Sequence, residues 1–155
     1  MKLILKLFLL LLLNLTTTLN IEANYYEFTY DGINYEVIHI EHINDPIYWE
    51  VEVGRNPNFS GIANIASSVT FQLQGHEYTM SVTRISGYAF EDCTGLTSIT
   101  IPNTVTYIED GAFEGCNNLT SIAIPNSVYY IGSVAFQYCT GLLNVTIPNS
   151  VFRVL

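Results

Sequence analysis

Three stretches of the chain repeat one pattern of apolar and polar positions without gaps. They are LTSITIPNTVTYIEDGAFEGCNN (96–118), LTSIAIPNSVYYIGSVAFQYCTG (119–141) and LLNVTIPNSVFRVL (142–155). The period is 23 residues, and 13 of 23 positions are identical between the first two copies. A partial copy, YTMSVTRISGYAFEDCTG (78–95), carries the second half of the unit in register. A fixed period of this size predicts a solenoid, because one unit cannot bury its apolar face alone and must stack on its neighbours. Within the unit, Leu96, Ile99 and Ile101 have the spacing of a short strand entering a core. Pro102 cannot donate to a ladder and ends that strand, and Asn103 turns the chain. Val105 and Ile108 return to the core. Ala112, Phe113 and Cys116 form a second apolar cluster, expected on a short helical or 3₁₀ turn. Stacked copies predict a parallel sheet with strands about 4.8 Å apart.

The N-terminal half follows a different period. In YYEFTYDGINYEVIHI (25–40), Tyr26, Phe28 and Tyr30 alternate with polar residues, as do Ile33, Tyr35 and Val37. Two alternating runs joined by Asp31-Gly32 predict a hairpin. Trp49, Val51 and Val53 mark one face of a further strand. Val69 to Leu73 and Tyr78 to Val82 predict a second hairpin around Gln74-Gly75-His76. Residues 24–77 are therefore read as a small antiparallel β cap covering the edge of the repeats at 78–155.

The repeated unit resembles the BspA-like leucine-rich repeats of bacterial surface proteins, which also occur in some protozoa. The resemblance rests on L-x-x-I-x-I-P and its variants at 96–102, 119–125 and 142–148, on A-F-x-x-C at 89–93, 112–116 and 135–139, and on the intervening V-x-x-I. Residues 56–71 also look like the lead-in that precedes such repeats. The resemblance implies an α/β-type leucine-rich-repeat solenoid: a parallel sheet with short helical turns, here behind a small antiparallel β cap. It also implies a curved right-handed shape, display at the cell surface and adhesion, with no catalytic residues to carry over. The chain has few repeats for this family and stops at Leu155, where the next Ala-Phe turn is due, as a truncated or split product would. An uncapped end at Val151 to Leu155 would expose apolar side chains and allow self-association.

Composition narrows the function. Among 155 residues there are 14 acidic and 5 basic side chains, a formal charge of −9 with no Lys/Arg cluster, so nucleic acid is not expected as a partner. Apolar residues make up 49% of the chain, which argues against disorder. MKLILKLFLLLLL (1–13) followed by a Thr-rich stretch reads as a secretory signal peptide over residues 1–23, cleaved after Ala23 or near Thr16-Thr17-Thr18. The uninterrupted apolar run from Leu7 to Leu13 is too short to span a bilayer. A secreted or cell-surface protein with no membrane span after cleavage is expected, with extracellular protein or cell-surface ligands as partners.

Candidate chemistry is sparse. Cys93, Cys116 and Cys139 recur at one repeat position, and buried free thiols are expected, with one disulfide as the alternative. His39, Glu41, His42 and Asp45 are the one metal-like group. Strand alternation separates His39 from His42, so a solvated strand edge is the expected reading, with no metal and no cofactor. Glu50 and Glu52 beside Trp49 read as a polar strand face. No nucleophile elbow, P-loop or zinc-protease motif is present, and no enzyme activity is expected. Asn58, Asn118 and Asn144 open glycosylation sequons, relevant only to a eukaryotic secretory pathway.

The candidate protein-binding residues fall in two columns. Ser98, Thr100, Ser121 and Thr146, with Ala123 and Asn144, would line a shallow, uncharged concave face. Tyr107, Tyr129 and Tyr130 occupy equivalent positions next to it, and aromatic side chains are enriched at binding hot spots. The alternatives are a ligand-binding or catalytic role for the N-terminal β segment around His39, His42 and Trp49, or a fragment without independent function.

Overall fold

A computed structural model describes residues 26–39, 49–73 and 76–154. The expected signal peptide, and Glu41, His42 and Asp45 of the metal-like group, lie outside the described residues.

The chain opens with β1 (Tyr26–Tyr30) and β2 (Ile33–His39), paired antiparallel with Phe28 opposite Tyr35. Asp31 and Gly32 both take positive φ, 48° and 77°, the tight turn whose twist matches a hairpin. Strand β3 (Trp49–Val53) pairs antiparallel with β2. The other face of β3 continues into the solenoid, because β3 pairs in parallel with the end of β6 (His76–Ile85). The antiparallel strands therefore share one mixed sheet with the repeats. In this sheet β6 is followed by β8 (Tyr107–Ile108), β10 (Tyr130–Ile131) and β12 (Arg153–Val154), all parallel. Opposite runs a four-stranded parallel sheet of β4 (Ser60–Asn64), β7 (Gly95–Thr100), β9 (Ser121–Ala123) and β11 (Val145–Thr146). Strand β5 (Ser68–Leu73) folds back on β6 as a hairpin inserted between β4 and the β6 end. Parallel stacking thus begins with β3 and β4.

The third side of each coil is the A-F-x-x-C segment, and here the structure differs from the expected helical turns. No helix occurs among the described residues; the segment is a chain of turns, with Ala89 N–H bonded to Ser86 O, Glu91 to Tyr88 O and Cys93 to Phe90 O. Two residues per coil sit in the left-handed region and stop a helix from propagating: Tyr88 and Asp92, Gly111 and Gly115, Val134 and Tyr138. Alternate N–H groups turn instead along the solenoid axis. Those of Tyr88, Phe90 and Asp92 donate to the carbonyls of Asp110, Ala112 and Glu114 at 2.8–2.9 Å, and the next coil repeats the pattern. The turns are therefore a third inter-coil ladder, which satisfies backbone groups that a helix would have used locally.

One core runs through both sheets and the turns. Leu96, Ile99, Ile101, Val105, Ile108, Ala112, Phe113 and Cys116 are all buried. Phe90, Phe113 and Phe136 stack face to face at 5.6 and 5.5 Å. Each cysteine thiol donates to a carbonyl of the preceding coil: Cys93 to Asn56 at 3.0 Å, Cys116 to Phe90 at 3.1 Å and Cys139 to Phe113 at 3.0 Å. All three are buried free thiols. Burial pushes the Cys93 thiol up. The adjoining Cys139 thiol, and then burial, push Cys116 up.

Buried Asn56 joins the first hairpin to the first coil. Its Oδ1 accepts from Asn34 N–H at 2.7 Å, its Nδ2 donates to Gly54 O at 2.8 Å, and its own N–H donates to Ala89 O at 2.7 Å. Tyr35 is fully buried, and its hydroxyl accepts from Ala66 N–H at 3.1 Å.

Candidate functional site: a carboxylate and tyrosine face

Strand pairing lines up one row of residues across the larger sheet. Glu36 on β2 lies opposite Glu52 on β3, Glu52 opposite Arg84 on β6, Arg84 opposite Tyr107 on β8, and Tyr107 opposite Tyr130 on β10. A β-bulge sets this register. Val51 pairs with Val82, then Glu52 pairs with Arg84, which leaves Thr83 as the extra residue. Val82 and Ile85 both point into the core, so the bulge turns Arg84 to the outer face.

Arg84 organises this face. Its Nε donates to Glu50 at 2.6 Å and its Nη1 to Glu109 at 3.2 Å, while its guanidinium carbon lies 4.0 Å from the Tyr107 ring centroid. A planar guanidinium can make all three contacts at once. Burial works against its charge, but Glu50 and Glu109 outweigh burial and hold its pKa above the ordinary value. Tyr107 carries the pattern onward, with ring centroids 4.6 Å from Tyr129 and 5.6 Å from Tyr130. Tyr129 is 42% exposed at the rim. The neighbouring Tyr107 hydroxyl raises the Tyr129 phenol above its usual range.

Glu52 stands apart from the other carboxylates. It is 8% exposed, and no donor among the described residues reaches its carboxylate. Burial, then the nearby charges of Glu109 and Glu36, push its pKa to about 8, against a weaker opposing pull from Arg84. Glu36 is raised as well, by burial and then by Glu27.

The structure divides the residues singled out from the sequence. Tyr107, Tyr129 and Tyr130 come together on the larger sheet. Ser98, Thr100, Ser121 and Thr146 lie on the four-stranded sheet, where Ser98 pairs with Ser121 and Thr146 with Ala123. That face is uncharged, and its hydroxyls partly serve the fold: Thr97 Oγ1 donates to Gly61 O at 3.0 Å. The side chains of His39 and Trp49 lie outside the described residues. Among the described residues no three His, Cys, Asp or Glu side chains converge as a metal site. No described helix is long and apolar enough to cross a membrane.

Sequence reasoning missed Glu36, Glu52, Arg84 and Glu109 as members of this site. The E-V-E-V run of β3 shows which face Glu50 and Glu52 share. Glu52 takes its place in the row from its pairing with Glu36 on β2 and, through the bulge, with Arg84 on β6, which no local pattern reports.

Comparison with known proteins gives a consistent result. The profile of the BspA type Leucine rich repeat region matches residues 61–154 in six copies. A leucine-rich repeat protein from Bacteroides capillosus is 29% identical with a TM-score of 0.67, covering 82% of this chain and 86% of that one. A leucine-rich repeat protein from Bacteroides ovatus is also 29% identical, with a TM-score of 0.54 over 81% of this chain and 36% of that one. A leucine rich cell surface protein from Faecalibacterium prausnitzii shares the fold at 24% identity and a TM-score of 0.54, covering 81% of this chain and 38% of that one. A search of curated proteins found no match.

Proposed function

The chain belongs to the BspA-type leucine-rich repeat family, and we propose that it is a non-catalytic recognition protein of the cell exterior, binding protein or cell-surface ligands through its tyrosine face. The observation that carries this reading is the packed strip of Tyr107, Tyr129 and Tyr130, fixed from one side by Arg84. Tyrosine offers a large amphipathic contact area with few torsions to immobilise, and a ring already held by neighbours loses still less freedom on binding. The stacked coils supply a rigid support, so affinity comes from preformed contacts. The hydrophobic leader at 1–13 supports export. On this reading the face made by Ser98, Thr100, Ser121 and Thr146 is a secondary contact surface.

The test is binding of the purified, monomeric chain to a panel of extracellular-matrix and cell-surface proteins. Saturable binding that weakens at least tenfold in the Tyr107→Ala/Tyr129→Ala/Tyr130→Ala variant supports the proposal. Unchanged binding by a folded variant contradicts it.

A further inference from the structure

Charge and apolar exposure are segregated along the solenoid. All 14 acidic side chains lie at or before Glu114, and residues 115–152 hold no Asp, Glu, Lys or Arg. The last described coil, 142–154, turns apolar side chains to water instead. Ile147 is exposed where its equivalents Ile101 and Ile124 are buried, and Val151 is half-buried where Val105 and Val128 are buried. Strands β11 and β12 each pair on one side among the described residues. The rim of this coil changes as well. Thr97 and Thr120 give way to Leu143, 84% exposed, and Thr106 and Tyr129 give way to Phe152, 94% exposed. Another coil would not hide these two positions, because Thr120 and Tyr129 are exposed with a coil on either side of them. Solenoid ends that face water are normally polar. A contiguous apolar patch there marks an interaction surface.

We infer that this end docks a second copy of the chain, tail to tail about a two-fold axis. The charge distribution selects that occupant. Two chains of charge −9 repel each other and can meet without like-charge contact where charge is absent. Coils stack about 5 Å apart, so Glu114, two coils back, stands roughly 10 Å behind the docking end. Across a tail-to-tail contact the nearest acids of the two copies are therefore about 20 Å apart, well beyond the Debye length of about 8 Å at physiological salt. Head-to-tail docking would instead desolvate exposed Glu27 and Asp31 of the first hairpin against an apolar coil whose one cationic residue is Arg153. A two-fold contact also closes at the dimer, whereas head-to-tail contacts continue into filaments. One coil end per partner is a small interface, of the class below about 1,200 Å² that gives weak and transient pairs. The dilute chain is then monomeric and pairs at high local density. Pairing puts two tyrosine faces in one particle, which holds a ligand displayed in many copies by avidity.

Sedimentation equilibrium of the purified chain, kept reduced, supplies the test. The inference expects a monomer–dimer equilibrium with a dissociation constant of roughly tens to hundreds of micromolar and no larger species. Low and high salt should change that constant less than about threefold, because the docking end is uncharged. Leu143→Asp/Phe152→Asp alters two exposed side chains and leaves the core intact. Once shown to be folded by far-ultraviolet circular dichroism, it should weaken the dimer at least tenfold. Ile62→Asp places the same charge at an exposed apolar position on β4, the opposite edge of the four-stranded sheet, and should change it less than twofold. A chain that stays monomeric at every concentration, growth beyond the dimer, or equal weakening by the two variants each overturns the inference. A monomer that co-sediments with phosphatidylcholine vesicles would assign the end to a lipid surface and overturn it equally.

Discussion

The guanidinium of Arg84 lies over the ring of Tyr107 at 4.0 Å from its centroid. Glu50 and Glu109 hold that guanidinium from both sides. One basic side chain thereby ties β3, β6 and β8 together at the outer face and sets the first ring of the tyrosine strip. Arg84 and Tyr107 stand opposite each other because they are one 23-residue repeat apart, and the bulge at Thr83 brings Glu52 of β3 into the same row.

Arg84→Lys keeps the charge but cannot lie flat on the ring while spanning both carboxylates. It should cost about 1 kcal/mol in urea unfolding. Arg84→Met leaves the four glutamates uncompensated and should cost more, about 2 kcal/mol. Both variants should also change the near-ultraviolet tyrosine circular dichroism, as Tyr107 loses its orientation. If both are as stable as the parent, with the same spectrum, Arg84 does not organise the face.

Glu52 makes stability depend on pH in a direction opposite to most carboxylates. Its pKa is about 8 in the fold against 4.5 for the ordinary side chain, so the folded state holds the proton more tightly. Its contribution is fully present below the ordinary value, declines as pH rises, and is lost as pH passes through the folded value. Urea midpoints should therefore fall between pH 4.5 and 8 by more than the other groups explain. Glu52→Gln should flatten this decline and stabilise the protein at pH 8, on the order of 2–4 kcal/mol. Parallel profiles for parent and variant would show that Glu52 is not buried as described.

The turn ladder makes a prediction about equivalent positions. Gly111 and Val134 occupy one place in successive coils, both with positive φ, 62° and 54°. A β-branched residue is strained there, so Val134→Gly should stabilise by about 0.5–1 kcal/mol despite the greater freedom of the unfolded glycine. The reverse change should be severe. A Cβ at Gly111 would come within 2.5 Å of the Tyr88 ring as well as straining the backbone. Gly111→Val should cost about 2 kcal/mol or more. Thermal unfolding of the two variants checks the sign of each.

Cys93, Cys116 and Cys139 point into the core and donate to the coil before them. Their thiols should resist an aromatic disulfide reagent in the native state and label only as fast as the coils open. In denaturant without reductant, three thiols per chain should titrate. A thiol that reacts within the mixing time, or a count of one, contradicts the buried ladder.

Much of this fold is legible in the sequence because it is repetitive. Each coil repeats the same inward residues, so Leu96, Ile99, Ile108, Phe113 and Cys116 declare themselves by recurrence, and Asp31-Gly32 declares the hairpin. The conformation of the turns is not legible in the same way. Ala-Phe-x-x-Cys has a helical look, but left-handed residues such as Tyr88, Asp92 and Val134 are imposed by stacking on the next coil, against local preference. The site is legible only in part. The tyrosines stand out as a column, whereas their separation from Ser98 and Thr100 follows from the chain turning a corner at Pro102 into a second sheet. Glu52 is least legible, because alternation in β3 assigns its face but not what covers it.

The most direct measurement compares the two faces against one ligand. The affinity of the parent for its tightest panel partner is measured beside the triple tyrosine-to-alanine variant and a Thr100→Asp/Ser121→Asp variant, each shown to be folded. The account predicts at least a tenfold loss for the tyrosine variant and less than a threefold change for the other. A large loss confined to the Thr100/Ser121 variant would place recognition on the four-stranded sheet and contradict the account.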